Sequence, residues 1–254
     1  MRELSRIDSA AAVEVADRSS LGHLPEARWQ FDESVTSVFD DMLARSIPDI
    51  GVMRESVFNL ASHFVQPESY VVDLGCSLGG AMTPLVQKFR TNNRFLGIEA
   101  SKPMLDACRE RFKDLIDAGI VEIVQGDLRS TYPTVKASLT LCILTLMFTP
   151  IEHRFRILRD AFEHTSAGGA FILVEKILGN DARTSSLFVD LYEQHKQGMG
   201  YSKEEIDRKR LSLEGVLVPV TASWNEQMLN GAGFAHVECF WRRLNFCGWI
   251  GIKA

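Results

Sequence analysis

The stretch that decides the fold is Val71-Val72-Asp73-Leu74-Gly75-Cys76-Ser77-Leu78-Gly79-Gly80. An apolar run ending in an acid gives way to glycines at 75, 79 and 80, and a helical pattern follows over Ala81–Phe89. A buried parallel strand that turns sharply into a helix reads this way. The strand is apolar on both faces, glycine permits left-handed backbone in the turn, and the first N–H groups of the helix remain free to hold a ligand. The stretch is therefore expected to be the nucleotide end of a cofactor site.

Spacing narrows the ligand. A dinucleotide fingerprint places three spaced glycines so that backbone can approach a pyrophosphate. Here Ser77 takes the second position. The pattern Asp-x-Gly-x-Ser-x-Gly-Gly resembles the first motif of class I S-adenosylmethionine (SAM) methyltransferases. That resemblance implies a cofactor with an amino-acid carboxylate and an adenosine but no phosphate. The competing reading is a βα turn of some other doubly wound protein.

The segments that follow support a repeated β–α alternation. Arg94–Ile98 reads as a second strand ending in Glu99, where a carboxylate can accept both ribose hydroxyl protons of an adenosine. Ser101 is a candidate N-cap for a helix from Pro103 to Leu115. Val121–Val124 leads into Gly126-Asp127-Leu128-Arg129, where Asp127 can accept an adenine amino group and Leu128 can cover the ring. Ala137–Leu146 is apolar enough for a central strand. Helix Arg154–His164, strand Ala170–Glu175, helix Trp224–Leu229 and the closing strands His236–Trp241 and Phe246–Lys253 complete the set. The expected fold is α/β: a doubly wound, mostly parallel, seven-stranded sheet of the Rossmann-like class.

Residues 1–28 show little periodicity and are expected to form a loose arm, with a single domain over 29–254. Within it, residues 29–66 carry two helical patterns separated by Pro48, read either as a cap over the cofactor or as helices packed on the sheet. The alternation stops over 177–222, a charged and partly helical insertion that can close over the C-terminal edge of the sheet and set substrate choice.

Composition bounds the partners. The chain has 254 residues, a net charge of −5, 46% hydrophobic and 24% charged residues, as for an ordinary globular protein. The acidic balance lacks the electrostatic footprint of a nucleic-acid binder. Cys76, Cys108, Cys142, Cys239 and Cys247 have neither paired spacing nor histidine partners, so reduced thiols in a cytoplasmic protein are expected, with no metal. No apolar run approaches the roughly 20 residues of a membrane span, and the N-terminus, with Arg2, Glu3 and Asp8, does not read as a signal peptide.

A closer resemblance rests on Phe31-Asp32-Glu33, Arg45-Ser46-Ile47-Pro48, Phe64-Val65-Gln66-Pro67, the Asp73–Gly79 turn, Gly200-Tyr201-Ser202 and Lys209-Arg210. From about Trp29 to Lys253 the chain is similar to bacterial carboxy-S-adenosyl-L-methionine synthases, which make a carboxylated SAM from SAM and prephenate for tRNA wobble modification. The resemblance implies that Gly75, Cys76, Ser77, Glu99, Ala100, Asp127, Leu128 and Ile143 occupy cofactor-contacting positions. It further implies that Arg210, with Tyr201 nearby, receives a carboxylate across a homodimer. An arginine fits because its planar fork binds a carboxylate by two parallel bonds.

The pocket departs from that family's pattern in three places. The family has tyrosine where this chain has Ile50, asparagine where it has Ile143, and Asp-Asn where it has Glu99-Ala100. Glutamate keeps the carboxylate. Two isoleucines remove hydrogen-bonding groups, each worth roughly 1–3 kcal/mol when a polar ligand atom loses its partner. The leading expectation is therefore a SAM-dependent methyltransferase for a small carboxylate-bearing, keto acid-like molecule, with carboxy-SAM synthesis as the alternative. No general base stands out: His153, His164, His195 and Glu175 are candidates by location only.

Overall fold

The computed structural model describes residues 27–254, so the expected arm falls outside the described residues except for positions 27 and 28. Strands β1 (Tyr70–Leu74), β2 (Arg94–Glu99), β3 (Val121–Gln125), β4 (Ala137–Ile143) and β5 (Thr165–Leu178) are parallel; β7 (His236–Arg243) and β8 (Phe246–Ile252) close the edge antiparallel. The order is β3-β2-β1-β4-β5-β8-β7, and a two-residue β6 (Val220–Thr221) pairs with the end of β5. The seven expected strands are thus present, with one short addition.

Alternation along the strands splits the core. Val71, Phe95, Leu139 and Ile172 face α2 (Ile50–Phe64) and α3 (Thr83–Phe89), whereas Val72, Leu96, Phe171 and Trp249 face α6 (Ile151–His164) and α9 (Ala222–Ala232). Burying each such side chain contributes about 1.5–3 kcal/mol, which fixes the register of the sheet.

Several expected boundaries moved: the strand expected to reach Leu146 ends at Ile143, where a tight turn takes over, and the helices expected from Ala81, Arg154 and Trp224 start at Thr83, Ile151 and Ala222. The helix expected over Pro103–Leu115 is two, α4 (Lys102–Arg111) and α5 (Lys113–Asp117), broken at Phe112, whose backbone leaves the helical region to seat its ring under Gly79. Strand β5 starts at Thr165 rather than Ala170, because the glycines at 168 and 169 kink the strand without ending it.

The N-terminal segment divides between two clusters. Helix α1 (Glu33–Ser46), capped by Asp32, joins Trp29, Phe39 and Met104 in a separate cluster above the sheet edge. Helix α2 packs on the sheet through Met53, Val57 and Ala61. In the insertion, α7 (Ala182–Gly198) and α8 (Lys203–Ser212) each begin at a side-chain cap, Asp181 and the Ser202–Glu205 capping box respectively. Among the described residues no helix is long and apolar enough to cross a membrane.

Candidate active site

Connections leave β1 and β4 in opposite directions across the sheet. Their following loops part and open a crevice at the carboxyl ends of the strands, the place where open α/β sheets take ligands. A cavity of about 680 Å³ occupies that crevice and runs under the insertion.

The turn after β1 forms the cavity floor. Gly75 and Cys76 both donate their N–H to Ile98 O, at 2.8 and 3.0 Å. Gly75 has φ +72°, and a Cβ there would lie 2.3 Å from Thr145 Cγ2. Gly79, at φ +75°, would meet Phe112 Cε2 at 2.3 Å. Both positions therefore need glycine for space as well as for conformation. The Cys76 thiol, 4.0 Å from that of Cys108, is pushed up by that contact and by burial and stays protonated.

Two carboxylates face the cavity side by side. Asp73 is 1% exposed, and burial, reinforced by Glu99, raises its pKa to about 7. Its Oδ2 has no hydrogen-bond partner. Glu99 accepts Ser77 N on Oε2 and Ser101 N on Oε1, each at 2.8 Å; burial raises its pKa and these backbone donors pull it back. Each carboxylate oxygen can accept more than one bond, so Glu99 retains acceptors for a pair of hydroxyls.

The sequence motif contains Asp73 without assigning it a contact; the nominated residues other than Glu99 surround these two. Asp127 lies at the rim, held by the Arg129 guanidinium at 2.6 Å, which lowers its pKa. Leu128 is buried beside it, Ala100 is exposed at the mouth, and Ile143 with Ile50 forms an apolar wall. Arg210 reaches the far mouth of the cavity; its side chain is 63% exposed and 3.5 Å from Asp207. Tyr201 stands behind the lining: its hydroxyl is 3.2 Å from Ser46 Oγ and its ring carries Arg45 at 4.4 Å.

None of the four candidate bases borders the cavity. His164 bonds Asp160 O at 2.8 Å, and His195 sits near Asp49 and Arg243. Glu175 is buried and accepts Leu146 N at 3.0 Å, with its pKa raised to about 8 by burial. What sequence reading missed is a group of lysines at the insertion end, Lys176, Lys196 and Lys209. Burial pulls them down to about 8, 8 and 7 respectively. Lys209 carried a weak signal, as part of the Lys209-Arg210 motif; the other two had none.

An adenosyl sulfonium carrying an amino-acid tail suits this cavity. The orphaned Asp73 Oδ2 requires a donor, which an α-ammonium supplies, and Glu99 offers acceptors for ribose hydroxyls. Residues 71–169 match the model of the methyltransferase domain family. An O-methyltransferase family protein from Burkholderia thailandensis has the same fold at a TM-score of 0.59 and 18% identity, over 88% of this chain and 60% of that one. Human N-acetylserotonin methyltransferase in complex with SAM superimposes at 0.58 and 14%, over 87% and 55%. The chain thus spans about three-fifths of the length of those structures. Carboxy-S-adenosyl-L-methionine synthase of Methylococcus capsulatus is 37% identical over 88% of this chain and 93% of its own length. That of Erwinia tasmaniensis is 34% identical over 94% and 99%. With similarity of this extent over nearly the whole of both chains, the chain belongs to the carboxy-S-adenosyl-L-methionine synthase family.

Proposed function

We propose that the protein is a SAM-dependent one-carbon transferase that acts on a small organic acid, with methyl transfer to that acid as the first reading. The observation that carries it is the pairing, in one cavity, of an acidic end built from Asp73 and Glu99 with a basic end under the insertion. SAM, when bound, supplies an electrophilic carbon on a sulfonium. The protein's share is positional. Asp73 and Glu99 take the ammonium and the ribose, the Gly75–Ser77 turn supports the amino-acid end, and Asp127 with Leu128 takes the adenine. Cap and insertion exclude water and hold the acceptor within about 3–3.5 Å of the reacting carbon.

In this reading residues 177–222 are a lid and dimer element, and the protein works in the cytoplasm as a homodimer without membrane or nucleic-acid partners. The outward course of Arg210 supports a role toward a neighbouring subunit's cavity. The free cysteines suit a reducing compartment.

Carboxy-SAM synthesis from SAM and prephenate is the second reading, favoured by the names of the relatives and by the retained Tyr201 and Arg210. Ile50 and Ile143 weigh toward methyl transfer. Mass spectrometry of the nucleotide after incubation with SAM and a panel of keto acids decides. S-adenosylhomocysteine with a methylated acid supports the first reading, a carboxylated nucleotide the second, and unchanged SAM with every acid rejects both.

A further inference from the structure

Cys239 and Cys247 stand on the last two strands, β7 and β8, with their sulfurs 3.3 Å apart. They are not direct cross-strand partners. Cys239 pairs with Trp249 and Cys247 with Arg242, so the two cysteines lie on a diagonal of the ladder. In a regular antiparallel pair diagonal neighbours stand about 7–8 Å apart, whereas a disulfide needs Cβ atoms within about 4.5 Å. Here the pairing slips between Cys239 and Trp241, which leaves Phe240 as the extra residue of a bulge. A bulge tightens the local twist. The Phe240 ring lies over Gly248, where a Cβ would come 2.8 Å from its Cζ, so glycine at 248 lets the ring settle. Bulge, ring and glycine together bring the sulfurs into contact.

Access differs between the two. Cys239 is exposed on the edge strand, whereas Cys247 is 1% exposed, and burial together with the Cys239 contact pushes its thiol up. Cys76 and Cys108 also form a pair, 4.0 Å apart, but both are buried, as is Cys142. Cys239 is therefore the cysteine that a solute can reach, and Cys247 stands behind it. Arg242, opposite Cys247 in the ladder, puts positive charge where a thiolate would form. Neither cysteine lines the cofactor cavity.

We propose that Cys239 and Cys247 form a dithiol modification site, which a low-molecular-weight disulfide oxidises to an intrachain disulfide. In the first step Cys239 gives its proton to solvent and its sulfur attacks one sulfur of the reagent. The reagent's S–S bond breaks, and one thiolate leaves. In the second step Cys247 loses its proton, attacks Cys239 Sγ in the mixed disulfide and expels the other thiolate. The two thiolates take up two protons. Two electrons pass to the reagent, which ends as two thiols, and the chain ends with one disulfide between β7 and β8. Excess small thiol reverses both steps.

The test is incubation of the full reduced chain with oxidised glutathione, quenched by acid, alkylated and read by mass spectrometry. Trypsin cleaves after Arg242 and Arg243, between the cysteines, so the expected product is two peptides joined by one disulfide. It should form within one chain, revert with dithiothreitol and be absent from Cys239→Ser. In Cys247→Ser the reaction should stop at glutathione on Cys239. In the parent that mixed disulfide should stay below about a tenth of the protein, because the resolving sulfur is already in contact. Should Cys247→Ser fail to fold, Cys247→Ala gives the same reading with an apolar side chain. Cys76, Cys108 and Cys142 should remain free thiols. Glutathione persisting on Cys239 in the parent, a disulfide joining two chains through Cys239, or no reaction at Cys239 overturns the site.

Discussion

The backbone N–H of Ser77 donates to Glu99 Oε2 at 2.8 Å, which pins the turn after β1 to the tip of β2 through a carboxylate that faces the cavity. The second oxygen of Glu99 holds Ser101 N, the cap of α4. One side chain therefore aligns two neighbouring loops and presents acceptors to the ligand.

Replacing it separates those roles. Glu99→Ala should weaken S-adenosylhomocysteine by about tenfold to a hundredfold and lower thermal stability, since two backbone donors are left unpaired at roughly 1–3 kcal/mol each. Glu99→Gln keeps one acceptor and should melt closer to the parent while still losing affinity. Calorimetry and thermal melting on both variants check this; equal melting of Ala and Gln would contradict the pinning.

Asp73 sets a pH dependence of known sign. Its folded pKa of about 7 stands well above the ordinary aspartate value of about 4, so the native state binds its proton more readily than the unfolded chain. Its ionisation costs stability as pH rises through about 7, and that cost is absent below about 4. A cationic ligand group reverses the preference and releases the proton. SAM affinity should therefore fall as pH drops from 8 to 6, with proton release near pH 6 in buffers of different ionisation heat. Asp73→Asn should abolish the release.

Gly75 offers a cleaner dissection of space against backbone conformation. Gly75→Ala drives a methyl into Thr145, at 2.3 Å, and forces φ +72° on an L side chain. Thr145→Gly in the same chain removes the Cγ2, Oγ1 and Cβ contacts but leaves the backbone cost of about 1 kcal/mol. Melting of the double variant should lie between parent and single variant. Full recovery would mean that the left-handed backbone carries no cost here.

Strands, turn and acids were legible because each is written locally: apolar runs give parallel strands, glycines give left-handed backbone, and an acid at a strand tip has one place to point. The break at Phe112 was not, because it depends on a ring packing beneath Gly79, thirty-three positions earlier in sequence. Nor were Lys176 and Lys196. A lysine on an amphipathic helix or near a strand end reads as a solvated charge until another element covers it, and the covering elements here, α7 and α8, belong to a segment without strong periodicity. Tyr201 was legible as part of a motif, yet its place behind Lys196 and Lys209 is a tertiary fact.

Arg154 holds the loop that forms the β4 side of the crevice. It is 1% exposed and donates to Thr149 O at 2.8 Å, Met147 O at 3.3 Å and Val218 O at 2.7 Å, tying that loop to the segment before β6. Its charge also offsets part of the burial cost of Glu175. Arg154→Met should destabilise by about 3–5 kcal/mol at pH 9, since three carbonyls lose a donor and Glu175, charged above about pH 8, loses its cation. Glu175→Gln in the Arg154→Met background should recover part of the loss, measured by denaturant unfolding. Additive losses would mean that the two side chains do not act on each other.

Ile50 and Ile143 bear most directly on which one-carbon reaction the cavity runs. Both side chains border it, on α2 and at the end of β4, where the resemblance implies a phenol and an amide in the family. Each restored hydrogen bond to a carboxylated nucleotide is worth roughly 1–3 kcal/mol. Ile50→Tyr with Ile143→Asn should therefore bind carboxy-SAM at least about tenfold tighter than the parent does, with a smaller change for SAM. Equal gains for both nucleotides would show that the two positions serve cofactor binding in general. No gain for either would remove the isoleucines as grounds for preferring methyl transfer, and the relatives' reaction would then become the first reading for this chain.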